Sequence, residues 1–219
     1  MIDSFLVGYL VIFYFKRDRI LFLNVFIWYL VCSNGSTFLT FDDITLNNET
    51  SIPDGYNNIS WSNANVVAYT TYPNSGYYTA AVSRPNVIYN GHSNPMTMKS
   101  TNGRLINLHS AAAAAAWNDN LQLTVTGYRS NVVTITKTFT LQVFTVSYLT
   151  FTEYTRLDMI EFKTFGGTKN AYINYTIGAT HFAMDNVCLS FVWNERLSCL
   201  KFLRHWKICA NNKHLIVYI

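Results

Sequence analysis

Charged side chains are scarce in this chain: Asp, Glu, Lys and Arg supply 13% of its 219 residues, against roughly 25% in an average soluble domain. The charges are also unevenly placed, because residues 34–191 hold eight basic and nine acidic side chains, whereas residues 192–219 hold five basic and one acidic. The net charge of +4 is therefore a property of the chain ends. Without a basic face on the central region, nucleic-acid binding has no support.

The sequence lacks the short motifs of common enzymes and metal centres. It has no HxH or HExxH spacing for a metal hydrolase, no GxSxG around a nucleophilic serine and no CxxC for a zinc site. The histidines His92, His109 and His181 are far apart along the chain. The paired glycines at 165–170 lack a P-loop Lys-Ser/Thr and predict a loop between strands. We therefore expect a protein that is not an enzyme.

No apolar run reaches the roughly 18 residues that a membrane-spanning helix needs. Two shorter runs, at 5–15 and 20–31, flank the charged sequence KRDR. The basic cluster, the second run and the small-residue exit at Val31 and Ser33 follow the order of a secretory signal peptide. We interpret residues 1–33 as a signal peptide cleaved after Ser33. A retained membrane anchor is the alternative, because an apolar run ahead of the basic cluster is unusual.

Cysteine is also infrequent, and four cysteines do not make a dense disulfide framework. Cleavage after Ser33 would remove Cys32 and leave an odd number, namely Cys188, Cys199 and Cys209.

Four sites fit the N-glycosylation pattern N-x-[ST] without proline, as expected of an exported glycoprotein. They are Asn34, Asn48, Asn58 and Asn174.

Short alternating segments separated by turns dominate residues 34–191. In LQLTVTGY (121–128), for example, Leu121, Leu123 and Val125 would share one face of a strand. Similar segments lie at 37–41, 66–72, 77–83, 86–91, 132–143 and 157–165. Because no long amphipathic helix intervenes, the pattern predicts an all-β fold, an antiparallel sandwich or barrel.

Two stretches need separate interpretation. Six consecutive alanines at 111–116 favour helix by propensity but are too few to form a stable helix alone. We predict an extended core strand over 104–117, with a helix of one or two turns as the alternative. Residues 192–219 lose the alternation and form a basic tail, either an appended segment or a short amphipathic helix that docks on a membrane or partner.

Several segments resemble a known type of secreted domain. They are TFDD (40–43), IPDGYNNISWSN (52–63), SGYYTAAVS (75–83), YNG (89–91), AAWNDNLQLTVTGY (115–128) and THFAMDNV (180–187). Together they are similar to the uncharacterised jelly-roll domain of PEP-CTERM-sorted bacterial surface proteins, although the C-terminal sorting signal is absent. The resemblance covers residues 37–191 and implies a galactose-binding-like β-sandwich, shaped like many carbohydrate-binding modules. We place the boundaries of this jelly-roll domain at residues 34–191. The resemblance implies no established activity, because a fold does not fix a function.

Acidic residues occur near both ends of this domain. Asp42 and Asp43 follow the first predicted strand, and Asp185 lies in the last. A buried carboxylate needs a partner, and the first and last strands of a jelly roll commonly lie side by side. The resemblance to calcium-holding jelly rolls therefore implies a structural Ca²⁺ at this edge, held by oxygen ligands. The alternative is that Asp42 and Asp185 accept backbone N–H bonds and stabilise turns.

Aromatic residues offer a second kind of candidate site. Flat rings with neighbouring amide and carboxylate groups are how carbohydrate-binding modules hold sugars, and the candidates here are Trp61, Tyr77, Tyr78, Trp117, Asn118 and Asp119. The alternative is that these rings fill the core. We predict a secreted, non-catalytic domain that binds an extracellular glycan. The competing hypothesis is a structural or adhesive domain whose partner is a surface protein.

Overall fold

The computed structural model describes residues 32, 35–46, 49–174 and 179–194, and the backbone of residues 12–16, 19–23, 199–202, 206–211 and 214–218. The chain divides into two compact units, Met1–Val31 and Cys32–Ile219. The first unit contains an antiparallel hairpin of β1 (Ile12–Lys16) and β2 (Arg19–Leu23). Within the described ranges, no helix is both long and apolar enough to span a membrane.

The second unit contains most of the ordered structure. Its elements, in chain order, are β3 (Thr37–Leu39), β4 (Thr50–Ser51), β5 (Ile59–Ser62), β6 (Ala64–Ala68), the helix α1 (Gly76–Ala80), β7 (Asn86–Asn90), β8 (Met96–Ser100), β9 (Leu105–Ala115), β10 (Asn118–Arg129), β11 (Val132–Leu141), β12 (Ser147–Thr150), β13 (Met159–Lys169) and β14 (Phe182–Val192). Short 3₁₀ turns lie at Tyr56–Asn58, Tyr69–Thr71 and Gly91–Ser93.

These strands form two antiparallel sheets. One has the order β11-β10-β13-β8-β5, and the other has the order β12-β9-β14-β7-β6-β4, with β3 also paired to β14. One continuous core lies between them, and the Phe162 and Phe182 rings, from opposite sheets, stack with centroids 6.1 Å apart. The predicted β-sandwich is confirmed. The pairing of Leu39 with Val187 also confirms that the first and last strands of the domain are neighbours.

Tertiary packing decides the alanine run in favour of a strand. Residues 111–115 continue β9, which lies between β14 and β12 in the larger sheet. All six alanines are buried, and their short side chains leave room for the large rings of the opposite layer. The predicted strand over 104–117 is confirmed, with its end two residues earlier.

Two local predictions are wrong. The segment 77–83 was expected to be a strand, but Gly76–Ala80 forms α1, because Ser75 accepts the Tyr77 N–H at its N-terminus. Gly76 approaches the backbone of Ala115 so closely that a Cβ atom would lie 1.8 Å from its carbonyl oxygen.

The predicted loop at 165–170 is instead the end of β13, in which Gly166 and Gly167 adopt positive φ angles.

The tail also differs from the helical alternative. Its described parts are β15 (Cys199–Phe202), β16 (Trp206–Asn211) and β17 (His214–Tyr218), which pair as a three-stranded antiparallel sheet. The helical alternative rests on the i, i+3 spacing of Leu197, Leu200 and Leu203. That spacing is a weak signal over so few residues.

A disulfide bond joins Cys32 to Cys188 across 156 residues of sequence. It ties the beginning of the second unit to β14. Cleavage after Ser33 would remove Cys32, so this bond and that cleavage site exclude one another. Cleavage itself stays a prediction.

Candidate functional site

Asp185 lies in β14 and has no solvent exposure. Its carboxylate accepts hydrogen bonds from the Ser83 N–H at 2.8 Å, from the Ser83 hydroxyl at 3.0 Å and from the Asn186 N–H at 2.6 Å. Asn186 has a φ of 51°, and the pairing of β14 with β9 shifts register there. Such a bulge re-aims a side chain, and the bulge here lies beside the buried acid.

Burial dominates the electrostatics of Asp185. Loss of solvent raises the pKa of this carboxyl from 3.8 to about 7, although the donors from Ser83 and Asn186 favour the charged form. The charge of Asp42 raises the pKa further, so the two acids are near enough to interact. Stabilisation of the charged Asp185 carboxylate therefore depends on Ser83, which supplies both a backbone and a side-chain donor.

Asp42 holds the other end of the same segment. Its carboxylate accepts the Asn86 N–H at 3.0 Å. The Asn86 side chain in turn donates to the carbonyls of Phe41 and Ile44, at 2.9 and 2.8 Å. The two acids predicted to face each other thus fix residues 83–86 from both sides. Asp43 is exposed and accepts instead from the Tyr56 hydroxyl at 2.6 Å.

The fit of calcium to this edge is mixed. Among the described residues, no three His, Cys, Asp or Glu side chains lie close enough together to hold a metal ion. Asp43 is engaged with Tyr56, which leaves Asp42 and Asp185 as the nearby acids. The buried amide oxygen of Asn186, however, has no hydrogen-bond partner. An unpaired buried oxygen next to Asp185 is compatible with a cation, so calcium stays a prediction.

Three exposed or half-buried side chains, one of them Arg84 of this anchored segment, form a cluster at the surface. The Arg84 guanidinium carbon lies 4.5 Å from the ring centre of Tyr69 and 5.2 Å from that of Tyr78. The two rings are 5.4 Å apart and tilted by 40°. Tyr78 is 40% exposed, and Arg84 is exposed. We call Tyr69, Tyr78 and Arg84 the Tyr-Arg surface.

The backbone under the Tyr-Arg surface is fixed at several points. Tyr69 donates its N–H to the carbonyl of Pro85 at 3.0 Å, which joins the two loops that carry the surface. Tyr78 lies in α1, and Ser75 caps that helix. Arg84 follows Ser83 directly, and Ser83 donates its N–H and its hydroxyl to Asp185. The surface therefore stands on rigid elements, which lowers the entropy that binding would cost.

A second aromatic cluster lies inside the protein, next to α1. Tyr77 is 2% exposed, and its hydroxyl pairs with His181 Nδ1 at 2.8 Å. Trp117, 1% exposed, donates its Nε1–H to the same nitrogen at 3.4 Å. Burial lowers the pKa of His181 to about 4, so the ring is neutral near pH 7. With Nδ1 as the acceptor for Trp117, the proton sits on Nε2.

Glu49 closes this cluster at the surface. Its two carboxylate oxygens accept from the hydroxyls of Tyr72 and Tyr89, each at 2.7 Å. The Tyr77 ring packs against the rings of Tyr72 and Tyr89, with centroids 5.4 and 5.2 Å away, and Trp117 packs against Tyr72 and Tyr77. Because the rings pack mostly edge-to-face against one another and both Glu49 oxygens have partners, this cluster is best interpreted as core packing.

The structure separates the residues predicted to bind sugar. Trp117 is buried, and Trp61 is half-buried and packs edge-on against Phe41, so the two do not form one exposed platform. Asn118 donates to the Ala179 carbonyl. The remaining candidates lie elsewhere as follows. Asp119 accepts from Val143 N–H and Asn170 Nδ2, Tyr77 is in the core, and Tyr78 alone is substantially exposed.

Sequence reasoning missed Tyr69 and Arg84. Arg84 follows the segment 77–83, whose pattern predicts a strand, and Tyr69 lies within another predicted strand, 66–72. The available signal was composition, since Arg84 is the first basic residue after Arg19. An isolated cation among Tyr and Val residues is a candidate for aromatic stacking.

The sequons are described in part. Asn58 and Asn174 are exposed, as N-glycosylation requires. Asn34 and Asn48 lie outside the described residues. Glycosylation stays a prediction at all four positions.

Comparisons with known proteins give a fold-level likeness. No family model matches the chain, and no curated protein matches it in sequence. The crystal structure of a DUF4465 family protein from Bacteroides ovatus ATCC 8483 is similar, with 9% sequence identity over 72% of this chain and 94% of that chain, and a TM-score of 0.41. A likeness at this level carries no argument about function.

Proposed function

We propose that this protein is a secreted, non-catalytic glycan-binding domain and that the Tyr-Arg surface is its binding site. The observation that supports the proposal is the exposed Tyr78 ring, held beside Arg84 on an anchored loop. A tyrosine face packs against the C–H face of a sugar, and its hydroxyl and the guanidinium donate hydrogen bonds to sugar oxygens.

The disulfide bond supports the extracellular part of the proposal. Structural disulfides form in oxidising compartments, and Cys32–Cys188 joins residues far apart in sequence. The exposed sequons at Asn58 and Asn174 agree with export.

A glycan array tests the function. We expect the wild-type domain to bind a subset of glycans and Tyr78→Ala to lose most of that binding. The matched control is Tyr148→Ala, which removes another exposed tyrosine, on β12 and 61% exposed, outside the proposed site.

Two results would reject the proposal. If the folded wild type binds no glycan, the domain is better explained as a structural or adhesive one, and a search for a protein partner should replace the array. If Tyr78→Ala and Tyr148→Ala reduce binding equally, the site lies elsewhere.

A further inference from the structure

The Arg84 guanidinium is exposed and lies against two tyrosine rings. No described carboxylate forms an ion pair with Arg84, and its described contacts are the two tyrosine rings. The residue before Arg84, Ser83, donates hydrogen bonds to Asp185. The Asp185 carboxylate is fully buried and also accepts from the Asn186 N–H, so it does not serve Arg84. An exposed cation with unused donors therefore remains at the surface.

The chemistry of arginine narrows the ligand. A guanidinium is always charged and presents its N–H groups as a planar fork that fits a carboxylate or sulfate in two parallel hydrogen bonds. Stacking on Tyr69 and Tyr78 leaves the edge of the group, where its N–H donors lie, free to meet a ligand. The two rings also limit the motion of the side chain, so less entropy is lost on binding.

We propose that the Tyr-Arg surface prefers acidic glycans, with the sugar ring on Tyr78 and its carboxylate or sulfate on Arg84. This inference rests on the proposed glycan-binding function and adds the substrate class to it. Carboxylated and sulfated sugars share the anion that Arg84 would recognise, and the experiment separates them.

The test compares ligands that differ only in charge. Oligogalacturonate and its methyl ester share the same sugar backbone, and a sulfated galactan and its desulfated form provide the second pair. We expect calorimetry to show wild type binding at least one acidic form about 10- to 100-fold more tightly than its neutral partner, as a charge-assisted hydrogen bond provides. Added salt should reduce that preference, because the surface is exposed.

Variants assign the preference to one residue. Arg84→Gln should remove the preference for the acidic form, so that the ratio of the two affinities falls to about one. Lys137→Gln is the matched control. It removes another exposed cation stacked on an aromatic ring, Phe139 at 4.9 Å, on the other sheet. Circular dichroism melting should show that both variants are folded.

The outcomes separate the inference from the function beneath it. Equal affinity for the acidic and neutral forms, or an unchanged preference in Arg84→Gln, overturns the inference and leaves the glycan-binding proposal intact. Equal losses in Arg84→Gln and Lys137→Gln also overturn it, because the effect would then come from net charge. Absence of binding to every glycan rejects the proposed function, and the inference with it.

Discussion

Neighbouring residues of one segment meet opposite environments. The Tyr77 hydroxyl bonds to the half-buried His181 and Ser83 bonds to the fully buried Asp185, whereas Tyr78 and Arg84, one residue later in each case, lie at the surface. The side-chain hydroxyls of Tyr77 and Ser83 are therefore both hydrogen-bonded. The Arg84 guanidinium lies over the Tyr78 ring, and no described residue accepts a hydrogen bond from it.

This contrast separates stability from function in the same stretch of chain. Buried polar groups are costly unless satisfied, so Asp185 and His181 specify one conformation of the segment. Exposed groups cost little to leave unpaired, so Tyr78 and Arg84 can serve a ligand. We therefore expect the inward pairs to position the outward residues.

The largest effect should come from removing the inward acid. Asp185→Ala leaves the Ser83 N–H, the Ser83 hydroxyl and the Asn186 N–H without their acceptor in a buried site. We expect a loss of about 3–5 kcal/mol in the free energy of unfolding. Urea denaturation measures it, and Asp43→Ala, which removes an exposed acid, should cost about 1 kcal/mol or less. Equal costs for both variants would contradict the anchor.

The disulfide fixes β14 three residues beyond Asp185. We expect Cys188→Ser to lower the free energy of unfolding by about 2–5 kcal/mol, because the bond closes a long loop. Peptide mapping of secreted protein without reduction should recover Cys32 linked to Cys188. A product that begins after Ser33 would lack this bond and would show that processing follows the signal-peptide prediction instead.

Bound calcium would further stabilise the buried side of this segment, near Asp42 and Asp185. If Asp42, Asp185 and the Asn186 amide oxygen hold Ca²⁺, calcium at roughly a hundred times Kd adds about 2.7 kcal/mol of stability. This corresponds to roughly 5–10 °C in melting temperature. We expect the melting temperature to fall by that amount on chelation, and Asn186→Ala to abolish the difference. A wild type that melts at one temperature with and without calcium rejects the metal.

His181 gives the inward aromatic cluster a pH dependence. Burial depresses its pKa from 6.5 to about 4, so the folded state binds a proton less readily than the unfolded state. Its contribution to stability is therefore present above about pH 6.5 and is lost as the pH falls towards 4.

Asp185 has the opposite shift, so the test needs a difference between two proteins. Over this window, wild type should lose about 1–2 kcal/mol relative to His181→Gln, a value reduced for the partial exposure of the ring. Urea denaturation at pH 4 and pH 7 measures the difference. A pH-independent difference would place the histidine in a solvated environment.

Side-chain alternation was enough to predict the β-sandwich, because burial between two sheets imposes period two on Leu121, Leu123 and Val125. It failed at Gly76–Ala80, where a serine cap and a close approach to Ala115 decide for helix. The proximity of Asp42 and Asp185 was predictable from the paired first and last strands. Their bonds to Ser83 and Asn86 were not, because those contacts span between 44 and 102 residues of sequence.

The affinity of Asp185→Asn for the best-binding glycan shows whether the buried acid positions the exposed Tyr-Arg surface. The substitution keeps the size of the side chain but places an amide donor near the Ser83 donors, so residues 83–86 should loosen while Tyr78 and Arg84 are unchanged. At a temperature where both proteins are folded, we expect binding about tenfold weaker than in wild type, a change of about 1.4 kcal/mol. An unchanged Kd in the folded variant would show that the Tyr-Arg surface does not depend on the buried Asp185.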